Sequence, residues 1–137
     1  MNVLSGVVNL TDFSFDTNLL RQAVEIVLKG EKEEKKGEVS IALVESEKMK
    51  ELSRIYRNKD YATDVLSFFY NEKDLLGEII LCPEKIKENS GEDFTNEMCR
   101  VTIHGALHLL GYDHESDTDE KEMEEKQEAY LKDLLKQ

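Results

Sequence analysis

All three histidines of this 137-residue chain, His104, His108 and His114, fall inside one eleven-residue window, HGALHLLGYDH. His104 and His108 are four apart, so on a helix they project from one face at the separation two imidazoles need to share a metal ion. A continuing helix would carry His114 about 240° round the axis from His108, far from that face. Gly111 resolves the conflict, because a helix that stops there and turns back can bring His114 to a third ligand position. Neutral imidazoles suit zinc best, although nickel, copper and iron also accept them. Three protein ligands leave a tetrahedral ion one position short, open to a water whose pKa falls towards 7 or to a substrate oxygen. A structural zinc usually takes four ligands with cysteine among them, and neither Cys82 nor Cys99 has the spacing to supply one. The alternative is three surface or core histidines with no ligand role.

The pattern HxxxHxxGxxH has the spacing of metzincin peptidases, which carry a glutamate base directly after the first histidine. Here that position is Gly105. A peptidase would have to find its base elsewhere, with Asp113 and Glu115 the near neighbours. Those two acids flank His114 and are expected as acceptors that orient a ligand imidazole.

The elements that must position these residues can be read from periodicity and caps. Leu19, Leu20, Ala23, Val24, Val27 and Leu28 recur at helical intervals behind the caps Asp16 and Thr17, with an end near Gly30 and a charged loop from Glu31 to Gly37. Val39, Ile41 and Leu43 alternate as a half-buried strand, and a helix capped by Ser46 carries Met49, Leu52 and Ile55 to about Tyr56. The runs from Asp64 to Tyr70 and from Leu75 to Cys82, separated by residues 71–74, predict an antiparallel hairpin. In that hairpin Phe68, Phe69 and Tyr70 are expected in the core rather than as base-stacking surfaces. Pro83 suits the first turn of a short helix to about Glu88. Thr95 is expected to cap the histidine helix through Met98, Val101, Leu107 and Leu110. A last helix follows Ser116, with Met123, Tyr130, Leu131 and Leu134 as its buried stripe. The order β, α, β, α, β, β, α, α, α implies an α+β fold over residues 1–137 as a single domain, a mixed four-stranded sheet with one hairpin, covered by about five helices.

At these residues the chain resembles a known family. RVTIHGALHLLGYDHE, from Arg100 to Glu115, is similar to the signature of the YbeY family of bacterial metal-dependent endoribonucleases. A second block agrees: residues 56–68, YRNKDYATDVLSF, resemble that family's YR-x-K-D-x-x-TDVLSF motif, and Gly77-Glu78-Ile79 resembles its Gly-acid-Ile step. Phe69 departs from the proline usual after LSF. The resemblance implies a single-strand-specific endoribonuclease of ribosome biogenesis, acting in 16S ribosomal RNA 3′-end maturation and ribosome quality control. It also implies one zinc ion per chain, with His104, His108 and His114 as ligands and Arg57 as the functional arginine. The implied partners are single-stranded RNA, above all ribosomal RNA, and the small ribosomal subunit or its assembly factors, with no DNA.

Charge and composition bound the same reading. Thirty acids against eighteen bases give −12, a sign that repels anionic membranes and, taken globally, nucleic acid. The charge is unevenly distributed. Residues 115–128 carry a net −6, whereas residues 48–59, with Lys48, Lys50, Arg54, Arg57 and Lys59 against Glu51, carry +4. A local basic surface can engage phosphates in spite of the global sign. A guanidinium at Arg57 can take a phosphate bidentately and stabilise its pentacoordinate transition state, while its spacing equally allows a salt bridge to Asp60 or Asp64. The first ten residues show no export signal and no apolar run approaches a membrane span, so a cytoplasmic protein with reduced, core-packed cysteines and no membrane partner is expected. Besides the nuclease, two readings stand: a zinc peptidase of the HxxxHxxGxxH type, and a non-catalytic ribosome-associated zinc module.

Overall fold

The computed structural model describes residues 3–32, 37–70, 75–91, 93–112 and 116–136. His114, its neighbours Asp113 and Glu115, most of the expected charged loop and the 71–74 turn therefore lie outside the described residues. The elements run β1 (Val3–Asn9), α1 (Thr17–Gly30), β2 (Gly37–Leu43), α2 (Ser46–Arg57), β3 (Val65–Phe69), β4 (Leu75–Leu81), α3 (Pro83–Ser90), α4 (Phe94–Leu109) and α5 (Asp117–Leu135). Together they form the expected α+β fold with a mixed four-stranded sheet.

The strands lie in the order β1-β2-β4-β3. β1 and β4 both run parallel to β2, so α1 is the crossover that a parallel β1–β2 pair requires. β3 and β4 form the predicted antiparallel hairpin, with Val65 opposite Leu81 and Phe69 opposite Gly77. β3 is thus an edge strand.

Alternation along the strands sorts side chains to two faces. Val39, Ile41, Leu43, Ile79 and Leu81 join the large core built with α1, α3, α4 and α5. Leu66, Ile80 and Cys82 belong to a smaller cluster with Val44 and Met49, against which Leu52 and Phe68 pack, so α2 covers the other face beside β3. The Asp16 carboxylate accepts from the Asn18 amide and starts α1 as expected, while Met123, Leu131 and Leu134 form the buried stripe of α5.

Three local expectations are corrected. The cap of α4 is Asp93, whose carboxylate accepts from the Asn96 amide at 3.0 Å, so Thr95 already lies in the first helical turn. α2 begins at Ser46 itself, with Glu45 in the capping position. Phe69 and Tyr70 are not core residues: they stand 49% and 41% exposed, because an edge strand at the sheet margin lacks a neighbour to cover them.

Candidate active site

α4 is the most enclosed helix of the fold. Met98, Cys99, Val101, Thr102, Ile103, Ala106, Leu107 and Leu109 are all buried, and the Thr102 hydroxyl is satisfied by the Met98 carbonyl at 2.7 Å. Arg100, His104 and His108, at intervals of four, form its half-exposed stripe. The two imidazoles stand at 4.5 Å between ring centroids and nearly perpendicular, at 81°.

What fixes that stripe in place is the residue between the histidines. A Cβ on Gly105 would lie 3.0 Å from Ile79 Cγ2, 3.1 Å from Ser67 Oγ and 3.2 Å from Val65 Cγ2, all on β3 and β4. The glycine lets the helix backbone close on the sheet, and the Ser67 hydroxyl seals the contact by donating to the Gly105 carbonyl at 2.9 Å. A glutamate at this position, as a metzincin requires, would be driven into the sheet instead of the site. That is a structural argument against the peptidase reading.

The helix then ends as the glycine spacing predicts. Gly111 has a φ of +102°, a region that disfavours side chains. The Tyr112 amide donates to the Leu107 carbonyl and the Gly111 amide to the His108 carbonyl, the pair of bonds of a Schellman motif. The turn has a second consequence. It folds the Tyr112 carbonyl back to within 2.8 Å of His108 Nδ1. A carbonyl can only accept, so Nδ1 carries the proton and the lone pair of His108 lies on Nε2.

His104 is set by α5. Its Nδ1 lies 2.8 Å from the side-chain oxygen of Gln127, again an acceptor. The amide of Gln127 donates in turn to Glu128 Oε2 at 3.1 Å, and Glu128 takes the Arg100 guanidinium at 2.9 and 3.2 Å. Arg100 also pairs with Glu97. Hydrogen bonding from Arg100 holds the Glu128 carboxyl below its usual range against the opposing effect of burial. Arg100, Glu128 and Gln127 thus form a chain that fixes the tautomer and tilt of His104. Sequence reasoning missed Gln127. Its signal is the position: Gln127 stands four after Met123 and four before Leu131, a carboxamide on the buried stripe of a helix whose other polar residues are mostly acids.

The Tyr112 end is anchored too. Its hydroxyl donates to Glu31 Oε1 at 2.6 Å, and Glu31 also receives Tyr130 and, at 3.2 Å, Lys126. Burial alone would raise the Glu31 pKa, but these three donors outweigh it and lower the value. Tyr130 is pushed up to about 12 by burial and then by the Glu31 carboxylate. The cysteines play no part: both are buried thiols, and burial with the nearby Asp93 charge raises Cys99 to about 11.

Facing α4 across β3 is the C-terminal end of α2. Asn58, at a left-handed φ of 54°, terminates that helix and leaves exposed Arg57 as its last residue, where a cation complements the helix dipole. Among the described residues no carboxylate pairs with Arg57, so the salt bridge to Asp60 or Asp64 is not formed. Arg57, Tyr56, Val65, Leu66, Ser67, Phe68, His104 and His108 line one cleft of about 390 Å³. Among the described residues no three His, Cys, Asp or Glu side chains converge as a metal site. Two imidazoles with both Nδ1 atoms bonded to oxygen acceptors nevertheless suit a soft-to-borderline cation on the Nε2 side, and the third expected ligand, His114, is outside the described residues.

Residues 8–135 match the family described as Endoribonuclease YbeY. The chain belongs to the YbeY family. Curated relatives carrying that same description include a Thermotoga petrophila protein, 45% identical over 100 residues that cover 70% of this chain and 67% of the relative. A Staphylococcus aureus relative is 36% identical over 143 residues, covering 88% of this chain and 92% of its own. Among solved structures, the solution structure of TM1509 from Thermotoga maritima superposes with a TM-score of 0.64 at 36% identity, covering 96% of this chain and 88% of that one. The two YbeY-like blocks of the sequence both line the cleft: residues 56–68 run from the end of α2 into β3, and the HGALHLLG segment is the end of α4 with its terminal turn.

Proposed function

We propose that the cleft between α2 and α4 is the active site of an endoribonuclease that cuts single-stranded RNA, with 16S ribosomal RNA near its 3′ end as the substrate and the small subunit or its assembly factors as context. Membership of the YbeY family makes the chain a hydrolase that acts as an endoribonuclease. In the proposal His104, His108 and His114 hold one zinc ion, Arg57 binds the scissile phosphate, and the protein works in the cytoplasm. No helix among the described residues is long and apolar enough to cross a membrane.

The observation that carries this reading is the shared cleft of Arg57 and the two oriented imidazoles. Held by these histidines, a zinc ion would supply Lewis acidity at the phosphodiester and would activate the nucleophile. The residues of the chain do the rest. Gln127 and the Tyr112 carbonyl hold the imidazoles in the tautomer that presents Nε2, so no reorientation is needed when substrate enters. Arg57 offers a planar fork of donors to the non-bridging oxygens, whose negative charge grows in the pentacoordinate transition state. Its position at the end of a basic helix adds Lys50 and Arg54 to a positive approach for the anionic strand.

The test is cleavage of an unpaired RNA oligonucleotide beside its DNA counterpart, an RNA duplex and an unstructured peptide. Cleavage confined to unpaired RNA and lost in Arg57→Ala supports the reading. Peptide hydrolysis, or RNA cleavage undiminished in Arg57→Ala, overturns it. The end group of the product then distinguishes a substrate 2′-hydroxyl nucleophile, which leaves a cyclic phosphate, from water.

A further inference from the structure

Five of the eight large hydrophobic side chains exposed among the described residues lie between residues 55 and 70: Ile55, Tyr56, Tyr61, Phe69 and Tyr70. Burial would normally claim such residues, and here they crowd beside the most basic stretch of an acidic chain. Phe68 and Tyr70 alternate with Phe69 along β3 and its continuation, and their rings stack at 6.5 Å and 17°. Tyr56, from the last turn of α2, meets Phe68 edge-on at 5.1 Å while remaining 62% exposed. Tyr70 is held by its hydroxyl, which donates to Glu78 Oε1 at 3.2 Å, and by its amide, which donates to the Leu76 carbonyl. Three aromatic rings from two elements thus make one row, and Tyr56 and Phe68 at its near end line the cleft that holds Arg57, His104 and His108.

We propose that Tyr56, Phe68 and Tyr70 are a stacking platform for the unpaired nucleobases that flank the scissile phosphate. The inference rests on the nuclease reading and adds what that site recognises beyond phosphate. Aromatic rings beside the Arg57 guanidinium, at the end of a helix that also carries Lys50 and Arg54, are the combination that binds single strands, since cations track the backbone and each ring takes a base face. A duplex keeps its base faces stacked on one another and has none to offer. The platform therefore supplies a physical cause for preferring unpaired RNA, and a tolerant one, because every base has a π-face. A protein partner would find apolar rings here but would have no use for the adjacent cations; it is the alternative that the experiment must separate.

The experiment measures binding of a fluorescein-labelled ten-nucleotide unpaired RNA to the full chain in chelator, where cleavage is suppressed, and KM and kcat in the metal-loaded protein. Tyr56→Ala is expected to weaken binding at least about fivefold, the lower end for one lost stack, and to raise KM more than it lowers kcat. Tyr56→Phe should stay within twofold of the parent, and so should Leu10→Ala, an exposed residue just after β1 at the opposite edge of the sheet. An RNA with abasic nucleotides should bind the parent more weakly yet lose little further in Tyr56→Ala. Equal affinity of Tyr56→Ala and parent, or an abasic RNA bound as tightly as an intact one, overturns the platform and leaves the patch to a protein partner. A parent chain that cleaves RNA in that case keeps the nuclease reading; one that neither binds nor cleaves RNA loses both.

Discussion

Gln127→Ala removes the acceptor of His104 Nδ1 and nothing else that touches the cleft, which makes it the sharpest probe of how the site is built. In the parent the Gln127 oxygen stands 2.8 Å from that nitrogen, while its amide group is tied to Glu128 and through it to Arg100. Without the acceptor, the bond that keeps the proton on Nδ1 and helps fix the tilt of the ring is lost, so a share of the population presents the wrong atom. Loss of an outer partner of a ligating histidine typically weakens metal binding about 10- to 100-fold. That corresponds to about 1.4 to 2.7 kcal/mol. The metal-free fold should lose about 2 kcal/mol or less, since Gln127 is half-exposed and two hydrogen bonds disappear, one to His104 and one to the Glu128 carboxylate. The assay is competition for zinc against a chromophoric chelator, with urea unfolding of the metal-free protein as the control. Gln127→Glu should bind zinc at least as tightly as the parent, because a carboxylate is a stronger acceptor for the same N–H. Zinc affinity in Gln127→Ala within twofold of the parent, with its fold intact, would refute the claim that α5 orients the site.

Arg57→Ala should lower kcat about 100- to 1000-fold, the equivalent of about 2.7 to 4 kcal/mol of transition-state stabilisation, with Arg57→Lys recovering part of it in a single-turnover cleavage assay. Gly105→Glu should lower unfolding stability by about 3 kcal/mol or more in urea and yield no peptidase activity, because the added side chain meets Ile79, Ser67 and Val65. Glu31→Gln should cost about 2 kcal/mol at pH 7, where the carboxylate holds Tyr112, Tyr130 and Lys126. The folded Glu31 pKa lies below its ordinary 4.5, so its contribution is complete above that value and is lost as pH falls through the folded value. The stability gap between parent and Glu31→Gln should accordingly be constant near neutrality and close under acid, as urea melts at a series of pH values would show.

Much of this arrangement is legible in the sequence because periodicity and turn chemistry are local. The alternation of Val39, Ile41 and Leu43, the helical stripe of α1 and the Gly111 stop all rest on neighbours within a few residues, and each is found where expected. The cap of α4 is expected at Thr95 and is Asp93, since both are good capping residues and only the backbone decides between them. Phe69 and Tyr70 were misplaced for a different reason: strand order is non-local, and nothing within residues 64–70 says that β3 lies at an edge. The site shows the same division. The i, i+4 pair of His104 and His108 is written in one helix, but Gln127 reaches His104 from 23 residues away, and Arg57 shares the cleft only because α2 and α4 straddle β3.

Metal analysis of the purified chain, combined with removal and restoration of the ion, tests the histidine site and the reaction together. The expected result is about one zinc per chain, loss of RNA cleavage in chelator, recovery on adding zinc back, and neither metal nor activity in His108→Ala. Full cleavage by the metal-free protein, or stoichiometric zinc retained in His108→Ala, would contradict it.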